Sequence, residues 1–379
     1  MAYGKIKADA IVYDNSGTDV EVSTADITGK ANLASPAFTG TPTAPTASEG
    51  TNTTQIATTA FVEAAAGNKL IEEGSTYRVQ ILAIGGGGAG AYTDSGYNGG
   101  GGGAGGMAYH DGVMVTDGNS YTVTIGTGAN GPTSDSQMGR MNSSHAPNGG
   151  DTTVSGTGVY IQCYGGGGGA GYNGSYLEGA TGGCGGGGEG YSYDYTTSSH
   201  ARQSTGGTSA FGTHGGFGAV NQGDVAGFGS YNGGGGGGVG GAPEYHSADG
   251  GDGSSGFHEW LAATSKGTVH NSIRYIGGGG GGGTSHAGGS GGSTGGKGGA
   301  GNGGNNSGSS GGDATDGTGS GGGGRGRWDT GSGRGGNGGD GLVIFRYQDN
   351  KGQKGSGGTV VQSGGYYYHT FTSGGTFTA

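Results

Sequence analysis

Apolar and polar residues alternate over short stretches of this chain, and several of those stretches run straight into glycine. Near the start, Ile6, Ala8, Ala10 and Val12 alternate with other residues, as do Val20 and Val22, which predicts short strands within residues 1–30. Farther on, Tyr77-Arg-Val79-Gln-Ile81-Leu-Ala-Ile84 leads into Gly85–Gly88. Val159-Tyr-Ile161-Gln-Cys163-Tyr164 leads into Gly165–Gly169, and Ile273-Arg-Tyr275-Ile276 into Gly277–Gly283. Leu342-Val-Ile344-Phe-Arg-Tyr347 and Ser120-Tyr-Thr-Val123-Thr-Ile125 have the same strand character. Together they predict a small β scaffold over residues 75–348 whose connections are long glycine-rich excursions. Aromatic and polar residues alternate again from Tyr366 to Phe377, which predicts a β hairpin within residues 349–379.

One stretch has a helical period. Ile56, Ala57, Ala60, Phe61, Ala64 and Ala65 form a single apolar stripe over residues 54–66, with Thr53 or Thr54 as cap and Gly67 as stop. A helix this short is marginal alone. Its stripe is best buried against copies of itself or a partner chain, which predicts an oligomer, a trimer. Residues 31–53 before it are rich in Pro, Thr, Ala and Ser and read as an extended linker, so 31–74 is linker and helical neck.

Composition changes what the excursions can be. Glycine supplies 110 of 379 residues; collagen needs glycine at every third residue and abundant proline, and only six prolines occur here, which excludes it. With 29% hydrophobic residues the chain lacks the side chains for a conventional core of this length. Long structureless loops argue against a compact domain, so the excursions need their own structure. Gly277, Gly280, Gly283, Gly289, Gly292, Gly295, Gly298, Gly301 and Gly304 share one three-residue register, which slips by one beyond Gly304. A period of three is that of polyproline II, whose backbone N–H and C=O groups point sideways. Helices of this kind satisfy one another where the facing residues are glycine. A straight run over 277–304 would span roughly 87 Å, so it must fold back. The predicted class is therefore mostly β with packed polyglycine II helices.

Charge and motifs narrow the function. A formal net charge of −11 disfavours nucleic acid as partner. No apolar run approaches the length of a membrane-spanning helix, and the opening residues have no signal pattern. This predicts synthesis in a cytoplasm and delivery to the outside by assembly into a particle. Cys163 and Cys184 cannot make a four-ligand zinc site; they are read as two thiols, with a disulfide between them left open. Asp249-Gly-Gly-Asp252 could contribute to a calcium site but reads better as solvated turn residues. Gly291–Lys297 nearly spells a phosphate loop, but Gly298 stands where Ser or Thr is required. Glu178, Glu189, Glu244 and Glu259 are the carboxylates a glycosidase could pair, and nothing pairs them. No enzyme, cofactor or metal is expected.

Aromatic residues between the glycine runs are the stronger signal. Tyr172, Tyr176, Tyr191, Tyr193, Tyr195, His200 and Arg202 form one group; Tyr231, Tyr245, His246, Phe257, His258 and Trp260 a second; Arg325, Arg327 and Trp328 a third. Such side chains bury large area at low entropic cost and stack on sugar faces, which makes them receptor-binding candidates. Packing between glycine layers or at subunit contacts is the competing reading for each.

Three parts of the chain carry a resemblance. The run from Lys30 through Leu33-Ala-Ser-Pro36-Ala-Phe38-Thr-Gly40-Thr-Pro42, followed by Gly50-Thr-Asn-Thr-Thr-Gln55-Ile-Ala-Thr-Thr-Ala60-Phe61-Val62, resembles a module of phage tail-fibre proteins. The opening Met1-Ala-Tyr-Gly-Lys-Ile-Lys-Ala-Asp9 resembles fibre-like virion proteins of marine cyanobacterial phages. The strand-and-glycine body is similar to glycine-rich phage adhesins with a polyglycine II sandwich. The resemblance implies an elongated homotrimeric fibre in the virion. It implies attachment to other tail proteins through residues 1–30, and binding of a host surface glycan or outer-membrane protein through distal loops. A structural spacer without host affinity is the main alternative. An ice-binding protein, which favours a flat face of small residues, fits the bulky Tyr, His and Trp interruptions poorly.

Overall fold

The computed structural model describes residues 10–15, 17–23, 76–93, 97–134, 137–138, 145–171, 179–191, 217–219, 232–243, 247–284, 292–305, 308–327, 332–348 and 352–379. The chain divides into two units, 1–72 and 73–379. In the first, β1 (Ala10–Asn15) and β2 (Thr18–Ser23) form an antiparallel hairpin with Asn15 opposite Thr18. The strands expected there from alternation are thus present. The helix expected over 54–66 lies outside the described residues.

The second unit contains β3 (Thr76–Ile84), β4 (Tyr97–Asn98), β5 (Met107–Thr116), β6 (Ser120–Thr124), β7 (Thr152–Gly156), β8 (Val159–Cys163), β9 (Gly190–Tyr191) and β10 (Phe217–Ala219). These are followed by helix α1 (His258–Ala263), β11 (Thr268–His270), β12 (Ile273–Tyr275), β13 (Leu342–Gln348), β14 (Thr359–Ser363), β15 (Tyr366–Phe371) and β16 (Gly375–Thr378). Six strands form an antiparallel sheet in the order β10-β5-β3-β13-β15-β14. Four form a second, β16-β6-β7-β8.

The two sheets bury an apolar layer between them. Val79, Ile81, Val343 and Phe345 of the first meet Val123, Val154, Ile161 and Phe377 of the second. Phe345 and Phe377 stack with centroids 4.3 Å apart. β6 and β8 bury every second residue, as a strand with one covered face must. β3 alternates only at its start and then buries four residues in a row, because both its faces are covered there. On its far face Leu82, Ile84, Leu342 and Ile344 pack beneath Trp260 and Leu261 of α1 and against Ile276 and Val239. The C-terminal strands are part of these sheets: β14 and β15 extend the first and β16 edges the second. Neither cysteine forms a disulfide, and both are buried.

Where β3 ends, the backbone leaves the ladder and its hydrogen bonds adopt a period of three. Gly85, Gly88 and Ala91 donate to Gly106, Gly103 and Gly100; Gly86 and Ala89 donate to Gly150 and Pro147; Gly87 and Gly90 donate to Gly339 and Gly336. The carbonyls of this segment face three further neighbours. Gly86 and Ala89 accept from Gly166 and Gly169, Gly87 from Ala129, and Gly88 and Ala91 from Gly322 and Arg325. One extended segment therefore touches six others. Segment 99–106 is enclosed the same way, donating to 319–325, 164–170 and 234–237 while accepting from 85–91, 184–187 and 280–283. The glycines are required by proximity: a Cβ on Gly87 or Gly90 would lie under 3.0 Å from the carbonyl of Ser320 or Gly323. Ala89 and Ala91 are tolerated because their methyl groups join Ala129, Met138 and Ala146 in a small apolar cluster.

The stretch from Gly277 folds back, as its length demanded. Segment 277–284 receives the Gly296 N–H at Gly279 and gives the Gly281 N–H to Gly301. Gly298 and Gly299 make the reversal between 292–297 and 300–305, with φ of +119° and +102° that side chains rarely adopt.

Candidate recognition surface

Part of the second aromatic group becomes helix, not loop. Phe257 precedes α1, and Trp260 within it is 4% exposed. Its ring meets Tyr109 at 5.8 Å, Phe257 at 6.0 Å and Tyr368 at 6.2 Å, all edge to face. The half-buried Arg346 of β13 lies between two rings, its guanidinium 4.2 Å from the Trp260 centroid and 4.3 Å from Tyr366. Arg346 Nε donates to Gln80 Oε1 at 2.7 Å, and Gln80 Nε2 donates to Asp111 Oδ1 at 2.8 Å and to Tyr109 Oη at 3.0 Å. Burial, then the Asp111 carboxylate, raises the Tyr109 phenol above its ordinary range, against the opposing pull of Arg346. Trp260 thus serves as a packed wall, and the polar side chains of the neighbouring strands hold the exposed rim of the cluster.

His258 connects the helix to a protruding hairpin. Its Nδ1 accepts from the Arg274 N–H at 3.0 Å, so the proton of the neutral ring sits on Nε2. Arg274 Nη1 donates to the carbonyls of Lys266 and Gly267 at 2.8 and 3.1 Å, tying β12 to the start of β11. The hairpin turns through Asn271 and Ser272 with φ of +49° and +65°, the geometry of a two-residue turn that matches strand twist. Val269 and Ile273 flank this tip at 59% and 41% exposure. Alternation pointed to the β12 strand, but the turn signal was missed because neither Asn271 nor Ser272 is followed by glycine.

The third group is divided. Arg325 is 3% exposed, lies 4.6 Å from the Tyr92 ring centroid, and donates to the Thr93 carbonyl. It is an interior side chain of the glycine lattice. The half-buried Arg327 donates its backbone N–H to Asn98 Oδ1 at 2.8 Å. In the first group the backbone of Tyr191 pairs with Tyr97. Tyr172, Tyr176, Tyr193, Tyr195, His200, Arg202, Tyr231, Tyr245, His246 and Trp328 lie outside the described residues.

The remaining chemistry-bearing residues are engaged or enclosed. Asp249 and Asp252 accept the backbone N–H groups of Thr294 and Lys297, and Lys297 Nζ pairs with Asp252 at 2.6 Å. Residues 292–297 of the near phosphate loop are thus one lattice segment held at its edge. Glu189 is 2% exposed, its carboxyl has no partner among the described residues, and burial pushes it up to about 8. Glu259 is exposed on α1, while Glu178 and Glu244 fall outside the described residues. Among the described residues no three His, Cys, Asp or Glu side chains converge, and no helix is long and apolar enough to cross a membrane.

Comparison with known proteins gives a short likeness to a curated protein and a long one to a family. Over 36 residues the chain is 75% identical to a protein described as a probable tail fiber protein of Escherichia phage P2, a match covering 10% of this chain and 5% of that protein's length. The family described as a glycine-rich domain matches residues 67–348, from before β3 to the end of β13, and the chain belongs to that family.

Proposed function

We propose that this protein is a bacteriophage tail-fibre component, carried in the virion, that binds a host surface receptor without chemistry. The observation that carries the fibre role is the 75% identity over 36 residues to a probable tail fiber protein. The glycine-rich family and the absence of a membrane-crossing helix among the described residues accord with it. We read the three-residue hydrogen-bond period as polyglycine II, and the fibre as a homotrimer joined to other tail proteins through residues 1–30. The resemblance of the opening residues to fibres of marine cyanobacterial phages belongs to the same proposal.

Receptor binding is supported by a hydrogen-bonded scaffold that presents apolar groups to solvent. The β11–β12 hairpin exposes Val269 and Ile273 beside a turn through Asn271 and Ser272, and the Arg274 N–H ties it to His258 of α1. Presentation on an ordered scaffold lowers the entropic cost of binding. A trimer would multiply weak contacts with a surface glycan or outer-membrane protein. The test is binding of the fluorescently labelled full chain to a panel of candidate host cells, beside a Val269→Asp/Ile273→Asp variant. Saturable binding to at least one host is expected. Its absence across the panel favours a structural spacer, and retained binding by the variant moves the contact away from this tip.

A further inference from the structure

The lattice has a rim, and the same four-residue device lies along it. In Asn148-Gly-Gly-Asp151 the two outer side chains accept backbone N–H groups of the neighbouring segment, Gly168 to Asn148 Oδ1 at 3.0 Å and Gly165 to Asp151 Oδ1 at 2.8 Å. In Asn337-Gly-Gly-Asp340 the donors are Gly131 and Gly128, both at 2.7 Å. In Asp249-Gly-Gly-Asp252 they are Thr294 at 2.6 Å and Lys297 at 3.0 Å. In Ser310-Gly-Gly-Asp313 they are Arg334 at 3.1 Å and Asn337 at 2.8 Å.

Together with the flanking Ala146, Gly341, Gly253 and Ala314, the backbone of each quartet answers in the other direction. Gly149 and Ala146 donate to Gly166 and Gly169, Gly338 and Gly341 to Ala129 and Gly126, Gly250 and Gly253 to Thr294 and Lys297, and Gly311 and Ala314 to Arg334 and Asn337. The spacing follows from the period of three: the outer positions share one side of the segment, while the glycines between them turn inward. A Cβ on Gly149, Gly250, Gly311 or Gly338 would come under 3.0 Å from a backbone carbonyl of an inner segment. The outer residues are all exposed or half-buried.

Each of these side-chain oxygens occupies the position where an interior segment meets the carbonyl of another glycine segment. We propose that the quartets close the lattice laterally, so that a second copy of this chain cannot add its glycine segments to the rim. Without them, the segment of Gly128 and Gly131 and the segment of Gly165 and Gly168 would each present uncapped N–H donors at three-residue spacing, the counterpart of an unpaired strand edge. The partner that fits such a row is a glycine segment of another copy, since only a residue without Cβ approaches closely enough. The carboxylates add like-charge repulsion between rims.

The test uses the full chain with Asn148→Ala/Asp151→Ala and, separately, Asn337→Ala/Asp340→Ala. The exchange Asn148→Asp/Asp151→Asn keeps both acceptors, and Asp316→Ala removes an exposed carboxylate outside the quartets. Amide exchange at the four glycines and the concentration dependence of mass by light scattering are read together. The alanine pairs are expected to exchange about 10-fold faster at their own donors and to gain mass with concentration, while the swap and the control do neither. Unchanged exchange overturns the proposal, as does faster exchange at constant mass, which would make the quartets stabilising only. If a pair fails to fold, the single variants Asp151→Ala and Asp340→Ala are read by the same two measurements and the same criteria.

Discussion

At the residue scale, two buried titratable groups set opposite pH dependences. Glu189 has a folded pKa near 8 against an ordinary 4.5, because burial disfavours its charged form. Its contribution is intact below 4.5, declines as pH rises through that window, and is lost above 8, since the unfolded carboxyl ionises first. Glu189→Gln should abolish that decline, which on this chain is on the order of a few kcal/mol. Denaturant unfolding at pH 5 and pH 9 measures it, and an equal decline in wild type and variant refutes it. His369 behaves oppositely. It is fully buried, with Nδ1 2.8 Å from the Gly357 carbonyl and Nε2 3.0 Å from Tyr347 Oη, and that hydroxyl accepts from the N–H groups of Lys354 and Gly355. Burial lowers its pKa below 6.5 despite the Gly357 bond. Its contribution is present above 6.5 and declines as pH falls below it. His369→Ala should cost about 2–4 kcal/mol at neutral pH by orphaning buried partners and should flatten the acid limb of a thermal-melting profile.

At the element scale, the glycine segments are held by close backbone approach. Gly90→Ala should cost more than about 3 kcal/mol or prevent folding, because a rigid carbonyl stands where the methyl would go. Gly150→Ala meets its nearest atom, the Thr127 nitrogen, at 3.0 Å and should cost less. Comparative denaturation of the two variants checks this order. For α1, Trp260→Ala should cost about 3–5 kcal/mol and release Arg346 from one of its two rings, readable as loss of near-ultraviolet dichroism. The strands were legible because β3, β6, β8 and β13 carry alternation or continuous apolar runs. α1 was not: His258–Ala263 is six residues, too short for a period to show, and its buried face is defined by Leu82 and Ile344 of distant strands. Much of the aromatic surface was unreadable for the same reason, since the position of Arg346 between Trp260 and Tyr366 depends on pairing between β13 and β15.

At the scale of the whole molecule, stability is shared between a thin apolar sandwich and a lattice of backbone hydrogen bonds. Burying amide in place of hydrocarbon lowers the heat-capacity change of unfolding, since polar exposure contributes with negative sign. Calorimetry of the full chain should therefore give less than about 12 cal/mol/K per residue, and an ordinary value would mean that the lattice contributes little. The sequence by itself determined the local conditions: strands where apolar residues alternate, a three-residue register where glycine recurs, and an absence of side chains for a larger core. Those are properties of neighbouring residues and survive in any arrangement. The tertiary structure alone decided which segments meet, that 85–91 and 99–106 lie inside six neighbours, and that quartets such as Asn148-Gly-Gly-Asp151 stand at the rim. A hydrogen bond between uniform backbones carries no side-chain label, so glycine runs that read alike acquire their partners only when the sheets and turns place them.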